Sequence, residues 1–208
     1  MTQELPLFPL KLIAFPEENL NLHIFEPRYK QLINDCLQLG KTFGICTFLD
    51  KLMPVGTEVS LLEITTRYDD GRLDIKTRGL RTFKILEFEN PMQGKLYAGG
   101  KVSFVPLQLD ASLEKKADFR KSLEELFKWM QFSADLETTP LTSFTYAHKM
   151  GLSPKQEYQL LELETEEERL DFLAAHLDKA IPILKEIEAS KHRIKMNGHF
   201  KYLDPLNF

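Results

Sequence analysis

The sequence of 208 residues predicts an α+β fold, in which a small, partly closed β-barrel with one early helix precedes a C-terminal helical bundle. Short segments with strand period fill most of the chain up to residue 105, and only the stretch after Pro27 has helical spacing there. From Ser112 onward, helical spacing and capping sequences dominate. Because the composition changes near Pro106, we expect a β domain at residues 1–109 and a helical bundle domain at residues 110–208.

The first predicted element, Leu5–Pro16, contains three prolines. Proline has no N–H to give to a sheet, so this segment is expected to be an edge strand or an extended clasp and not a central strand throughout. The next segment, residues 20–25, alternates as a strand does. Its core face carries Leu20, Leu22 and Ile24, and its opposite, mixed face carries Asn21, His23 and Phe25.

The first helix is predicted to begin at Glu26-Pro27. Proline suits the first helical position, and the carboxylate complements the positive end of the helix dipole. An apolar stripe from Tyr29 to Leu37 follows, and Gly40 ends the helix. We expect Glu26 and Arg28 to form a structural ion pair at this corner, because a charge near the core needs a partner.

A β-hairpin is predicted around Asp70-Gly71, the dipeptide that favours a type I′ turn. Pairing outward from this turn sets Tyr68 opposite Leu73 and Thr66 opposite Ile75. Gly79 would let the second strand bend or bulge. The hairpin therefore extends on both sides of a two-residue turn.

The helical half carries two capping boxes, which start at Ser153 and Thr165. Each offers a side-chain oxygen to the third helical N–H, so each marks the start of a helix. The helix after Thr165 contains Pro182, which removes one backbone hydrogen bond. We therefore expect that helix to be kinked or divided into two pieces at Pro182.

Composition excludes several classes of protein. A net charge of −4 argues against a general nucleic-acid binder, which would show a basic excess. No apolar run approaches the length of a membrane span, and the first residues lack the features of a signal peptide, so we expect a cytoplasmic protein. Cys36 and Cys46 are predicted to be reduced packing residues.

An ordered series of short motifs runs through the first half of the chain. The motifs are LPLFPL at 5–10, FP at 15–16, LHIFEPRY at 22–29, FGI at 43–45, VGT at 55–57, DGRL at 70–73 and RGLRTFKI at 78–85. Together they resemble the amino-terminal domain of Lon proteases over roughly residues 5–107, and residues 141–177 are similar to the helical half of that domain in a looser way. The resemblance implies a PUA-like β fold with a helical bundle, which recognises substrates and supports assembly. In Lon, separate domains hydrolyse ATP and cut peptides.

The motifs of catalysis are not found in the sequence. Gly40-Lys41-Thr42 imitates the end of a phosphate-binding loop, but Asp35 stands where that loop needs its first glycine. No segment resembles the serine-lysine site of Lon proteases. The five histidines are scattered and form no pair with metal-ligand spacing. We therefore expect no enzyme activity, no cofactor and no metal.

The leading hypothesis is a non-catalytic protein-binding module that holds apolar or unfolded segments of other proteins, with a protease as a second candidate partner. Binding would use main-chain pairing at an edge strand and side-chain pockets. The first alternative is an RNA-binding module, which rests on the PUA-like fold and is weakened by the acidic balance. The second alternative is an enzyme with an unrecognised site.

The peptide-binding candidates are Phe8, Phe15, His23, Phe25 and Tyr29. The alternative interpretation of the four larger aromatic side chains is that most belong to the core. A basic excess between Lys185 and Lys201 could contact acidic partners or nucleic acid. The alternative there is a solvated helix end, where cations complement the helix dipole.

Overall fold

The computed structural model describes residues 2–199, apart from the side chains of residue 192 and residues 195–199. In chain order the elements are β1 Thr2–Leu10, β2 Asn19–Ile24, α1 Pro27–Leu39, β3 Phe43–Phe48, β4 Leu52–Arg67, β5 Leu73–Ile85, β6 Ala98–Phe104, α2 Leu113–Met130, a 3₁₀ turn Ala147–Lys149, α3 Pro154–Glu162 and α4 Glu166–His199. The predicted α+β order, with one early helix and a helical second half, is confirmed.

The six strands of this part of the chain form one sheet with the order β2-β5-β4-β3-β1-β6. The sheet closes on itself because the end of β5 also pairs with β6, where Phe83 lies opposite Phe104. Five strands therefore make a ring, and β2 lies outside it along the first half of β5. The partly closed barrel is confirmed, and β2 is its outlying strand.

The expectation that the first segment is an edge strand or a clasp is wrong for β1. Its first half pairs with β6, up to Leu7 opposite Ala98, and its second half pairs with β3 in parallel, from Leu7 opposite Gly44 onward. Each half has a neighbour on one side only. Pro6 and Pro9 therefore fit into an interior strand, because each lies in a half that has an unpaired side.

The predicted type I′ turn and its register are also wrong. Only Gly71 has a positive φ, of 79°, whereas a type I′ turn needs positive values at both central residues. The amide of Gly71 donates to the carbonyl of Tyr68, and the amide of Tyr68 donates to that of Arg72. The connection is thus a three-residue loop whose third residue is glycine. Its extra residue shifts the register, so that Arg67 lies opposite Leu73.

The bulge expected at Gly79 is confirmed. Arg81 pairs with Glu58 and Gly79 pairs with Val59, so one residue of β5 is left without a partner between them. A Cβ atom on Gly79 would lie 2.1 Å from the carbonyl oxygen of Phe15. The strand therefore bends here because the chain before β2 crosses it at backbone contact.

The helix boundaries agree with the capping sequences. Both side-chain interactions of the box at Ser153 are present, and the hydroxyl of Thr165 accepts from the amide of Glu168 at 3.3 Å. α4, however, runs through Pro182 as one helix, so the expected division into two pieces is wrong. The stabilisation lost with one backbone hydrogen bond at Pro182 is small compared with that from the other hydrogen bonds of the 34-residue helix and from the packing of its first half.

Two hydrophobic clusters lie in the barrel, and α1 covers one of them. The third is formed by the helices together with Ile13, Phe15 and Val55 from the barrel. The division of the chain at residue 109 stays a prediction, since the helical half completes its core with these three side chains. None of the described helices is long and apolar enough to cross a membrane.

The basic segment near the carboxyl end is described only in part. Lys185 pairs with Glu125 and Lys191 with Glu188, each at 2.6 Å. Lys201 and the side chains of His192 and Lys195 lie outside the described residues. The two lysines that can be followed already have acidic partners within the chain.

Candidate protein-binding surface

Three of the five candidate side chains lie in the core: Phe8, Phe15 and Tyr29. The rings of Phe8 and Tyr29 pack with their centroids 3.8 Å apart beneath α1, and Phe15 stacks on Phe144 at 5.3 Å. No partner can reach these rings in this conformation. The five candidates therefore do not share one surface, and the alternative interpretation, that most of the four larger aromatic side chains belong to the core, describes their burial.

The other two candidates are exposed and lie beside a residue that sequence reasoning missed. Phe25 is 58% exposed, and its ring centroid lies 6.0 Å from that of His23. The ring of Tyr68, at the end of the β4–β5 hairpin, meets His23 edge-on at 5.8 Å. We call His23, Phe25 and Tyr68 the aromatic patch. It lies on the open face of β2 and β5, opposite the face that packs under α1.

A single carboxylate orients two rings of the aromatic patch. Asp74 lies 2.6 Å from the Nδ1 atom of His23 and accepts a hydrogen bond of 2.7 Å from the hydroxyl of Tyr68. The contact with His23, and after it the contact with Tyr68, lowers the pKa of Asp74, so this carboxylate stays ionised. The same hydrogen bond raises the pKa of Tyr68. The polar atoms of His23 and Tyr68 are thus both directed toward the carboxylate of Asp74.

Two ion pairs lie near the patch. Arg28 and Glu26 approach to 2.8 Å at the corner before α1, where the Arg28 guanidinium lies 4.6 Å from the centre of the Tyr29 ring. Lys76 pairs with Glu63 at 3.6 Å on the neighbouring part of β4 and β5. The Glu26–Arg28 pair is half-exposed, so it lies at the surface and not in the core.

A cleft of about 470 Å³ separates the barrel from the helical half. Pro16 and Arg78 form its barrel side, and Pro140, Phe144 and Tyr146 line its helical side. At its rim Arg78 donates to Glu17 at 2.6 Å. Because Arg78 pairs with Asn19 at the start of β2, the cleft lies at the end of β2 that is farther from Phe25.

His148 joins the two walls of this cleft. Its Nε2 atom lies 3.2 Å from Glu18 of the barrel, and its Nδ1 atom lies 2.7 Å from Glu157 of α3. The contact with Glu157, followed by that with Glu18, raises the pKa of His148 to about 10. The imidazole is therefore a cation at neutral pH, and it holds the two halves together.

A buried ion pair supports the helical wall. The guanidinium of Arg169 donates to Glu166 and to the hydroxyl of Ser143, and Glu166 accepts from the amide and the hydroxyl of Ser143. The planar guanidinium lies 4.7 Å from the centre of the Phe144 ring. The segment that begins at Ser143 is fixed in this way against α4.

Sequence reasoning missed Tyr68 and the cleft for different reasons. The two-residue turn predicted at Asp70-Gly71 places Tyr68 in a strand pair opposite Leu73, whereas the three-residue loop leaves Tyr68 beyond the end of β4. The cleft has no local signal, because its two walls are more than sixty residues apart between Arg78 and Pro140. Within the described residues, no group of three or more His, Cys, Asp or Glu side chains could hold a metal ion.

The barrel, the helical half and the exposed aromatic patch define an α+β module with an aromatic surface outside its closed ring. Residues 4–191 match the family described as the ATP-dependent protease La (LON) substrate-binding domain. The match covers most of the chain, and the protein belongs to this family. The resemblance inferred from the motifs is confirmed.

Solved structures agree with this assignment. A Lon N-terminal domain protein from Xanthomonas campestris is 28% identical over 83% of this chain and 98% of its own, with a TM-score of 0.69. The N-terminal domain of a Mycobacterium avium complex Lon protease is 19% identical over 85% of this chain and 98% of its own, with a TM-score of 0.64. The second likeness shows the fold alone.

Proposed function

We propose that this protein is a non-catalytic module that binds apolar segments of unfolded or partly unfolded proteins, and that the aromatic patch is the contact surface. The single observation that carries the proposal is the exposure of Phe25 beside His23 and Tyr68 on an otherwise polar strand face. Family membership supports a substrate-binding role, and the family is not that of the ATPase or protease domain. A cytoplasmic location and a protease as second partner belong to the same proposal.

The chemistry of the patch suits apolar segments better than charged ones. Asp74 is already hydrogen-bonded to His23 and Tyr68, and Lys76 is paired with Glu63. A charged side chain placed on the patch would lose hydration and would have to compete with these contacts for a partner. An apolar or aromatic side chain would gain contact with the exposed ring of Phe25.

The net charge of −4 does not favour the RNA-binding alternative, since phosphate contacts require a surplus of lysine and arginine. RNA binding would weaken steeply with added salt. Binding of apolar segments would change little with salt, because it depends on burial of apolar surface.

The test is a titration of the full chain with a permanently unfolded, carboxymethylated protein as the probe. We expect Phe25→Ser to weaken binding by about tenfold or more, as substitution of an aromatic anchor does. The matched control is Phe88→Ser, because Phe88 is 37% exposed and follows the opposite end of β5. Equal affinity of Phe25→Ser and the unmodified protein, or equal loss in both variants, would contradict the proposal.

A further inference from the structure

The free edge of β2 can be assigned residue by residue. The amide of Gly79 donates to the carbonyl of Glu18 at 2.8 Å, just before β2 begins. Bonded and non-bonded pairs alternate along an antiparallel ladder, so Asn19, Asn21 and His23 point their amides and carbonyls away from β5. No residue of the described chain forms a hydrogen bond with these main-chain groups.

β2, the first half of β5 and the second half of β4 form a three-stranded ribbon, and its outer edge on β4 is protected against pairing. Beyond Leu61, β4 pairs with β5 alone, but its register shifts twice, between Leu61 and Glu63 and between Ile64 and Thr66. These bulges, together with the charges of Glu63 and Arg67, are devices that prevent another chain from pairing. β2 has six residues, no proline, no bulge and no lysine. The outer edge of β4 is therefore protected against pairing with another strand, and the outer edge of β2 is open to it.

We infer that an extended segment of the bound, unfolded protein pairs with β2 as an added strand. This inference rests on the proposed function and supplies its binding mode. Six residues of strand span about 20 Å, which is long enough for a segment of similar length to bond with all three free residues. Alternate side chains of the added strand would face the aromatic patch, and the others would cover Leu20 and Leu22, which are only half-buried.

The charges select the chemistry of the occupant. β2 itself carries no carboxylate, lysine or arginine, and the flanking Glu17, Glu18 and Glu26 already contact Arg78, His148 and Arg28. The complementary segment is therefore uncharged and apolar where it pairs with β2. The net charge of −4 favours the approach of segments that carry lysine or arginine beyond the paired residues.

A second copy of this chain is a poorer occupant. Two β2 strands can bond only where outward-pointing residues meet, which sets Asn21 opposite Asn21 and Asn19 opposite His23 of the other copy. Continuing that register by two residues sets the charged Glu17 opposite the exposed ring of Phe25 at both ends. A carboxylate would lose hydration there, whereas an apolar side chain of another protein would be buried favourably.

The decisive probes are peptides of about ten residues with two lysines at each end and alternating valine and threonine between them, measured against the unmodified full chain. One peptide is N-methylated at alternate central positions and another at every central position. The first keeps one row of free amides, which a shift of one residue can turn to β2, whereas the second keeps none, so we expect the second to bind about tenfold or more weakly than the first. Equal affinities of the two methylated peptides would overturn strand addition.

A protein variant gives an independent measurement. Asn21→Pro removes an amide that faces the free edge, and Asn21→Ala keeps it. We expect the proline variant to lose about tenfold in peptide affinity and the alanine variant to stay within about threefold of the unmodified protein. If Asn21→Pro does not fold, the methylated peptides on the unmodified chain still decide the question.

The outcomes separate the two proposals. If both methylated peptides bind equally while Phe25→Ser abolishes binding, strand addition fails and the proposed function stands. If neither the unmethylated peptide nor the unfolded probe binds, the proposed function fails and strand addition fails with it. A dimer that Asn21→Pro dissociates and that the peptide competes with would assign the edge to a second copy and overturn the inference.

Discussion

Replacing Arg169 with methionine tests the buried ion pair behind the cleft. The side chains of Arg169 and Glu166 are 2% and 1% exposed, so the substitution leaves a carboxylate in the core without its cationic partner. It also removes the donors to Ser143 and to the carbonyl of Leu163. Methionine fills much of the space of the arginine stem, so the effect measures lost charge and hydrogen bonds more than a cavity.

We expect Arg169→Met to lower the free energy of unfolding by about 3–5 kcal/mol, the usual cost of removing one partner of a buried pair. In a chain of this size the melting temperature would fall by about 10 °C. The assay is urea unfolding followed by circular dichroism, with thermal unfolding as a second measurement. The control is Lys185→Met, which breaks a half-exposed pair with Glu125 and should lower the free energy of unfolding far less than Arg169→Met does.

A double-mutant cycle with Glu166→Gln separates the pair from its surroundings. If the two groups stabilise one another, the double variant will be more stable than the sum of the single losses implies, by about 1–3 kcal/mol. A loss below about 1 kcal/mol in Arg169→Met, or strict additivity in the cycle, would refute the reasoning.

Three further predictions concern other sites. Gly79→Ala places a Cβ atom 2.1 Å from the Phe15 carbonyl oxygen. We expect it to lower the free energy of unfolding, measured in urea, by about 2 kcal/mol or more, and an unchanged free energy would contradict this. The pKa of His148 rises from 6.5 to about 10 on folding, so its contribution to the free energy of unfolding is complete below pH 6.5 and is lost as the pH rises to 10. Because the side chain is 37% exposed, we expect the free energy of unfolding to fall by only about 1–2 kcal/mol over this range. The fall should be absent in His148→Gln. Burial raises the pKa of Cys36 to about 11 and of Cys46 to about 12, so both should resist iodoacetamide until the protein unfolds, and rapid labelling of the native chain would contradict this.

The exposed aromatic surface was predictable only in part. Alternation along residues 20–25 placed His23 and Phe25 on a mixed face, and the structure keeps that face open. Phe8 and Tyr29 have the same side-chain chemistry, yet their rings are covered. Strand and helix period show which side of an element a residue occupies, but not whether another element packs over that side. That distinction separates the core aromatics from the patch.

Turn geometry and strand pairing show the same limit. The dipeptide Asp70-Gly71 located the hairpin, but the register depended on which residues adopt a positive φ. The prolines of β1 do lie where one side of the strand is unpaired, since Pro6 pairs only with β6 and Pro9 only with β3. They could not show that the unpaired side changes in the middle of the strand, because that depends on closure of the ring through β3 and β6.

What the sequence determined by itself is local: the α+β order, the capped starts of α3 and α4, the bulge at Gly79 and the family to which the motifs belong. These features depend on interactions between residues close in the chain, or on motifs read in order. The tertiary structure alone decided which aromatic rings are exposed, where the cleft lies, and that β2 keeps a regular free edge while the outer edge of β4 is interrupted by two bulges. Each of these depends on contacts between distant segments, and a linear pattern of residues does not specify which of two equally apolar faces another segment will cover.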